Sequence, residues 1–225
     1  MIGLEDAMRA TEVLLGLALL QGAAEHMATG ARALFGLRAV LAVALIWGGS
    51  APVVLGVLCI HSLFVLRHFG GPYNGGSDKM GLLVLYCLTA AHLLPQGLGQ
   101  ELALGYLAVQ VVLSYFISGQ VKIANAEWRA GHALRDVFDF SAYPVSKRLR
   151  GLAAFPRLMR GASWAVIGFE LAFPLSLLWT PALLAALVLA AGFHLANAAL
   201  FGLNRFVWAW AAAYPALIWF QGRVF

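Results

Sequence analysis

The stretch ELALGYLAVQVVLSYFISGQV, residues 101–121, is apolar almost throughout and stops directly before Lys122. A helix that crosses a bilayer needs about 20 such residues. The apolar residues run continuously instead of alternating with polar ones, which favours a helix over a barrel strand. Because the bilayer core offers no water to backbone groups, a spanning segment has to be one of these two structures. The stretch therefore predicts a transmembrane helix.

The rest of the chain resembles this stretch in composition. Of its 225 residues, 62% are hydrophobic and only 11% are charged. A soluble domain does not need so much apolar surface. We predict an all-α fold, a polytopic integral membrane helix bundle that forms a single transmembrane domain over residues 1–225. About eight transmembrane helices are expected, at residues 11–28, 33–48, 52–66, 80–95, 101–121, 162–179, 181–202 and 204–221.

Two long loops, residues 67–79 and 122–161, interrupt these spans. The first loop contains Asn-Gly-Gly, which is typical of a turn. The second contains EWRAGHALRDVF, residues 127–138, which predicts an amphipathic helix in the membrane interface after the fifth span. Trp128, Leu134, Val137 and Phe138 form its expected apolar side.

The distribution of basic residues predicts the orientation of the chain. Cytoplasmic loops of membrane proteins carry an excess of Lys and Arg. If the N-terminus lies outside, only Arg9 and Arg223 of the 15 Lys and Arg residues lie on the outer side. The basic composition therefore reflects membrane flanks, and no nucleic acid partner is expected. Cys59 and Cys87 stand alone in separate spans without a CxxC motif, so a dithiol redox enzyme is not indicated either.

Polar residues recur in several predicted spans at a similar depth. An ionisable group inside a membrane costs free energy unless it is paired, so each one is a candidate site residue. A buried polar pocket that opens inward explains this convergence best. The residues concerned are Glu25, His26, His61, Asn74, Asp78, Lys122, Glu170, His194, Asn197 and Asn204.

Each candidate also has a structural interpretation. His61, His92 and His194 could each bond a neighbouring backbone carbonyl. Glu170 precedes Pro174, which lacks an N–H and leaves the carbonyl of residue 170 without its helical partner. Lys122 could extend towards the headgroups as an anchor, and Trp128 could be an interfacial anchor. These alternatives remain open from the sequence.

Four motifs in chain order resemble a known family. The segment at 114–134 holds Tyr115, Phe116, Ser118, Gly119, Lys122, Trp128 and Gly131. It is preceded by NGGSDKMGLL at 74–83 and followed by GFELAFP at 168–174 and GFHLANAAL at 192–200. The set resembles the horizontally transferred transmembrane (HTTM) domain, the membrane part of vitamin K-dependent gamma-glutamyl carboxylase and its bacterial relatives. The resemblance implies a multi-pass protein of the bacterial cytoplasmic (inner) membrane.

The resemblance also implies a chemistry. The matching lysine, Lys122 here, would deprotonate a vitamin K-like hydroquinone, and the quinol anion would react with dioxygen to give an epoxide. Burial in an apolar pocket lowers the pKa of an ammonium group in general, which makes a lysine a usable base, whereas an arginine could not substitute. Glu170 and His194 would act with Lys122 as catalytic residues that orient the base or bind the quinol oxygens.

The remaining candidates would bind the substrate: Asn74, Asp78, His61, Tyr115, Trp128 and Asn197. Asn74 and Asp78 would shape the mouth of the pocket. The expected cosubstrates are a reduced quinone and dioxygen, without a metal. We expect oxygenation of a small lipophilic molecule and not carboxylation of a protein, because no large soluble domain follows the last span. The expected partners are a lipophilic small molecule or quinol and membrane lipid, and a homo-oligomer stays open.

Two other functions compete with this one. A b-haem or quinone-binding electron carrier could use His61 and His194 as axial ligands from different spans. A non-enzymatic membrane partner in peptide maturation or immunity would need no reactive lysine at all. A transporter is less favoured, since the sequence has no internal repeat and no matched pair of broken helices.

Overall fold

A computed structural model of the chain describes residues 2–28, 30–68, 75–140 and 147–225. Every regular element in these ranges is a helix, as predicted. The chain divides into two compact units, one formed by residues 1–109 and 205–224 and the other by residues 110–204 and 225. The assignment of residues 1–225 to a single transmembrane domain stays a prediction.

The first unit is built from long apolar helices of the N-terminal half of the chain and from two short helices at its C-terminal end. Its core consists of fully buried leucines that recur along these helices, among them Leu15, Leu45, Leu58 and Leu85. The helices are α1 (Leu4–Ala28), α2 (Arg32–Trp47), α3 (Ala51–His68), α4 (Gly75–Leu93), the N-terminal part of α5 (Leu98–Ala124), α11 (Asn204–Ala211) and α12 (Tyr214–Val224).

A buried carboxylate ties three of these helices together. Glu12 of α1 accepts a hydrogen bond from Arg9 at 2.7 Å and lies 2.7 Å from the ring of His92 in α4. Arg9 also donates to the carbonyl oxygens of Leu45 and Ile46 at the end of α2. A bond to a backbone carbonyl was one interpretation of His92, and the structure instead places its Nε2 beside the Glu12 carboxylate.

The second unit contains the long segment 122–161. It comprises the C-terminal part of α5, then α6 (Ala126–Ala130), α7 (His132–Phe140), α8 (Lys147–Arg150), a 3₁₀ turn (Gly151–Ala154), α9 (Pro156–Ala172), a 3₁₀ helix (Phe173–Leu178) and α10 (Thr180–Phe201). Leu134 and Phe138, one turn apart in α7, are buried in a cluster with Met159 and Phe201. Leu134 and Phe138 of the predicted apolar side thus pack on protein, whereas Val137 is exposed, so this part of the prediction is wrong. The position of α7 in a membrane interface stays a prediction.

Proline determines two helix boundaries. The α-helical part of α9 ends at Ala172, and Pro174 lies at the start of the 3₁₀ helix that follows. The predicted span 204–221 is instead two helices, Asn204–Ala211 and Tyr214–Val224, with Pro215 near the start of the second. Pro cannot donate a backbone hydrogen bond, so it fits the first turn of a helix and not its interior.

Three helical segments among the described residues are long and apolar enough to cross a membrane: Leu98–Ala124, Pro156–Leu178 and Thr180–Phe201. A shorter apolar helix covers Ala51–Arg67. Outward-facing aliphatic side chains accompany them, for example Val188 and Leu189 of α10, which are 72% and 63% exposed. Lipid is the medium in which such surface is stable. The fold is therefore a helical membrane protein, whereas the count of eight spans stays a prediction.

Candidate functional site

One face of α5 carries three of the predicted residues. Tyr115, Gly119 and Lys122 are spaced by four and three positions, so a helix with 3.6 residues per turn places them in one row. Tyr115 and Gly119 are buried, while the neighbouring Ile117 and Val121 are exposed. The row therefore faces the interior of the second unit.

Gly119 allows α5 to approach α9 closely. A Cβ atom built on Gly119 would lie 2.9 Å from the backbone nitrogen of Leu171 and 3.1 Å from the Cβ of Glu170. Any larger residue would separate the two helices at this point. The glycine thereby brings Lys122, one turn further along α5, within reach of Glu170.

Lys122 and Glu170 form a buried ion pair. The Lys122 ammonium donates to both carboxylate oxygens of Glu170, at 2.8 Å and 2.7 Å. The Lys122 side chain is 17% exposed and that of Glu170 is 4% exposed. The Lys122 ammonium also lies 5.3 Å from the centre of the Trp128 ring, a cation–π distance. These contacts favour a buried lysine over an anchor that extends to the headgroups.

Gly131 and α9 hold Trp128 in this position. Gly131 has the left-handed φ of 84° that ends α6, and its N–H donates to the carbonyl of Trp128 at 3.1 Å. A Cβ on Gly131 would lie 2.6 Å from the backbone nitrogen of Arg160, so only glycine fits. The Ser163 hydroxyl donates to the same Trp128 carbonyl. The motif glycines at 119 and 131 are thus both positions of close approach.

Tyr115 and His194 form a second buried pair. The Tyr115 hydroxyl lies 2.9 Å from His194 Nε2, and each residue is 3% exposed. The Tyr115 ring stacks on Phe173 with centroids 4.2 Å apart, and Phe169 meets Tyr115 edge-on at 5.7 Å. His194 therefore bonds a phenol here, which differs from the backbone interpretation considered above.

The second unit thus brings together five predicted site residues: Lys122, Glu170, Trp128, Tyr115 and His194. The Lys122 ammonium and the Glu170 carboxylate together carry no net charge, so neither charge is buried without its partner.

Other predicted residues lie in the first unit. Asp78 accepts from Arg205 at 3.0 Å, and Glu25 lies 3.3 Å from Arg205 Nε. Asp78 also lines a cavity of about 390 Å³ in this unit. His61 is buried, and its Nε2 lies 2.9 Å from the carbonyl oxygen of Leu34, in agreement with the structural interpretation of this histidine.

Two predicted residues contribute less to the described geometry. Asn74 lies outside the residues that the structure describes. The backbone carbonyl of Asn197 accepts from Leu203 at 3.3 Å, beside the bond from Gly202 to Ala198, and these bonds close the end of α10. A single pocket lined by all the predicted residues stays a prediction.

Two polar networks contain residues that are not among the predicted site residues. Arg205 is the centre of the first network, and Glu12 is the centre of the second. Glu12 could be found in the sequence as a lone carboxyl in an apolar stretch one turn after Arg9. No comparable local signal marks Arg205, because both of its partners lie far away in the chain. Among the residues described, no three His, Cys, Asp or Glu side chains are grouped so that they could hold a metal ion.

Comparison with known proteins identifies the family of this chain. The family model of the HTTM domain matches residues 101–221, which include Lys122, Trp128, Glu170 and His194. No curated protein and no solved structure matches the chain. The HTTM domain links the chain to the vitamin K-dependent carboxylase-like membrane family, which is associated with carboxylase-type enzymes. Because the match covers more than half of the 225 residues, the chain belongs to the HTTM family of membrane proteins.

Proposed function

We propose that this protein is a membrane enzyme that deprotonates a hydroquinone-like lipid and couples it to dioxygen, with Lys122 as the base. The observation that carries the proposal is the buried ion pair of Lys122 and Glu170. An ammonium that serves only as a membrane anchor has no need of a carboxylate that is 4% exposed. A buried Lys–Glu pair instead provides an amine that can exchange a proton.

The proposed proton transfer starts from the uncharged form of the pair, in which Lys122 is a neutral amine and Glu170 carries the proton. The Lys122 amine takes a proton from a quinol hydroxyl and becomes an ammonium, and the quinol becomes an anion. The Glu170 carboxyl then gives up its own proton to the reduced oxygen product, and the ion pair reforms. Lysine suits this role because its ammonium can lose a proton in a site without water, whereas an arginine keeps its charge.

The redox step balances without a further reductant. One hydroquinone and one dioxygen give one quinone epoxide and one water. The O–O bond breaks, one oxygen atom enters the ring as the epoxide, and the other leaves as water with the two hydroxyl protons of the quinol. The quinol supplies all four electrons that reduce the dioxygen. Exclusion of bulk water would prevent water from quenching the oxygenated form of the quinol before the O–O bond breaks.

The aromatic residues of the second unit support binding of a flat ring. Phe169, Phe173 and Tyr115 pack against each other, and Trp128 flanks the ammonium of Lys122. Aromatic side chains offer large apolar faces for stacking. The Tyr115 hydroxyl and the His194 ring would bind the quinol oxygens. Cavities that bind small molecules combine such apolar walls with a few polar groups.

The test is oxygen uptake by the protein in nanodiscs with chemically reduced menadiol or menaquinol. Lys122→Arg keeps the positive charge beside Glu170 but removes the base, and we expect it to lower the rate about 100-fold or more. Lys79→Arg is the matched control, because Lys79 is exposed and in the first unit. It should keep the wild-type rate.

Product mass decides what kind of reaction occurs. A product that is one oxygen heavier than the quinone, formed only when Lys122 is present, supports the proposal. Uptake that is equal in wild type and Lys122→Arg would refute the role of the lysine. No uptake above the rate without enzyme would refute quinol oxygenation and favour a non-enzymatic membrane partner.

A further inference from the structure

The first unit contains a cavity that the proposed reaction does not use. Its volume is about 390 Å³, within the range of about 300–1,000 Å³ that is common for ligand pockets. Residues of α1, α2, α3, α4 and α11 line it. Most of the wall is aliphatic and includes Leu15, Leu19, Leu58, Val65, Leu82 and Leu85. Such a wall suits an apolar chain.

A cluster of polar side chains interrupts this apolar wall. Arg38 lies over the ring of Phe35 at 5.0 Å, and His26 stacks on the same ring at 4.2 Å. Arg38 is close enough to Asp78 and Arg205 to interact with both electrostatically. All five residues line the cavity. The wall is therefore amphipathic, with its charged groups clustered.

The two arginines of this cluster differ in their ion-pair partners. Arg205 donates to both oxygens of Asp78, at 3.0 Å and 3.3 Å, and also pairs with Glu25. Both carboxylates near the cavity are thus bound to Arg205. Among the residues that the structure describes, no carboxylate lies within ion-pair distance of Arg38, whose neighbour is the Phe35 ring. A guanidinium in apolar surroundings is stabilised by an anion, which it can bind with two parallel hydrogen bonds.

We propose that this cavity binds an amphipathic anion, whose acidic group pairs with Arg38 and whose apolar chain lies along the aliphatic walls. The ligand class is a carboxylate or phosphate on a single alkyl or prenyl chain. A neutral quinol lacks the charge that Arg38 requires, so this site is distinct in chemistry from the one proposed around Lys122. The proposal does not depend on the oxygenation reaction.

The test is calorimetric titration of the wild-type protein in phosphatidylcholine nanodiscs, with empty nanodiscs subtracted. The probes are dodecyl phosphate, dodecanoate, dodecanol and inorganic phosphate. We expect saturable binding of the first two probes. Dodecanol has the chain without the charge, and inorganic phosphate has the charge without the chain, so both should bind at least about tenfold more weakly.

Two variants test the site itself. Arg38→Gln should weaken binding of dodecyl phosphate about tenfold or more, because a charged hydrogen-bonded pair is lost. Arg32→Gln is the matched control, since Arg32 begins the same helix but is exposed, and it should bind like wild type. Gly81→Leu fills the cavity: Gly81 lines it, and a Cβ there would meet no atom within 4 Å. This variant should fold and lose binding.

Each outcome decides between the alternatives. Equal binding by wild type, Arg38→Gln and Gly81→Leu would overturn the proposal and indicate simple partition into the nanodisc. Dodecanol binding as tightly as the two anions would overturn the role of Arg38. Inorganic phosphate that displaces dodecyl phosphate at equal concentration would overturn the amphipathic ligand and indicate an ion site. If Arg38→Gln does not fold, the comparison of Gly81→Leu with wild type decides.

Discussion

The charged clusters of the two units contain similar side chains, but their cations differ in whether a carboxylate pairs with them. In the second unit, Lys122 lies 5.3 Å from the Trp128 ring and has one buried carboxylate to itself. In the first unit, Arg38 lies 5.0 Å from the Phe35 ring, and the nearby carboxylates are bound to a different cation, Arg205. Both clusters therefore combine a cation, an aromatic ring and a carboxylate.

The difference between lysine and arginine separates their chemistry. A lysine side chain that pairs with one carboxylate in a site without water can give up a proton as an ammonium or accept one as an amine. A guanidinium keeps its charge under all such conditions and presents a planar fork to an anion. This difference is the basis for the proposals that Lys122 transfers a proton and that Arg38 binds an anion. The following variants test how differently the two regions depend on their charges.

The largest loss of stability is expected when the ion pair of Lys122 and Glu170 is broken. Glu170→Leu leaves the Lys122 ammonium without its carboxylate and should lower the free energy of unfolding by about 3–5 kcal/mol. The double variant Lys122→Met/Glu170→Leu removes both charges and should recover most of this loss. Unfolding midpoints in detergent, combined as a double-mutant cycle, measure the coupling. A double variant as unstable as Glu170→Leu would contradict the pairing.

The second effect concerns the approach of α5 to α9. Gly119→Ala places a Cβ 2.9 Å from the backbone of Leu171, so the helices must move apart, at a cost of about 1–3 kcal/mol. Gly105→Ala is the control on the same helix, since its nearest neighbour, Phe220, would lie at an ordinary 3.6 Å. It should keep or raise stability, because Ala favours helix over Gly. Equal thermal midpoints for the two variants would refute the close contact.

The smallest effects are expected at the arginine pairs of the first unit. Arg205 is 12% exposed and bridges two carboxylates, so Arg205→Gln should cost about 1–2 kcal/mol. Arg223 is 61% exposed and, within the described part of the chain, pairs with Glu101, so Arg223→Gln should cost about 0–1 kcal/mol. Thermal unfolding at low and high salt measures both. A salt-sensitive Arg205→Gln effect no larger than that of Arg223→Gln would show that the bridge is a surface feature.

Part of the candidate site could be predicted from local spacing. Tyr115, Gly119 and Lys122 lie in one helical row, so their shared face follows from the helix period alone. Glu170 was a candidate because a carboxyl in an apolar helix is costly. Its partner could not be predicted, since 48 residues separate it from Lys122 and no pattern in α5 specifies which helix packs on it.

The first unit shows the limit of such predictions more sharply. Asp78 was a candidate, but Arg205, which lies 127 residues away, was assigned only to a membrane flank. The span predicted at 204–221 also differs from the structure, since apolar composition continues through the break before Pro215. Hydropathy measures composition over a window, whereas a helix boundary depends on single backbone hydrogen bonds.

The sequence by itself determined that this protein is helical and belongs in a membrane, because continuous apolar segments leave few other folds. It also indicated the family, through four short motifs in chain order, and the family model that matches residues 101–221 bears this out. Only the tertiary structure decided which charges meet: Lys122 with Glu170, and Arg205 with Asp78. The physical reason is that the helix period specifies one face of one helix, whereas an ion pair between distant segments depends on which faces pack together.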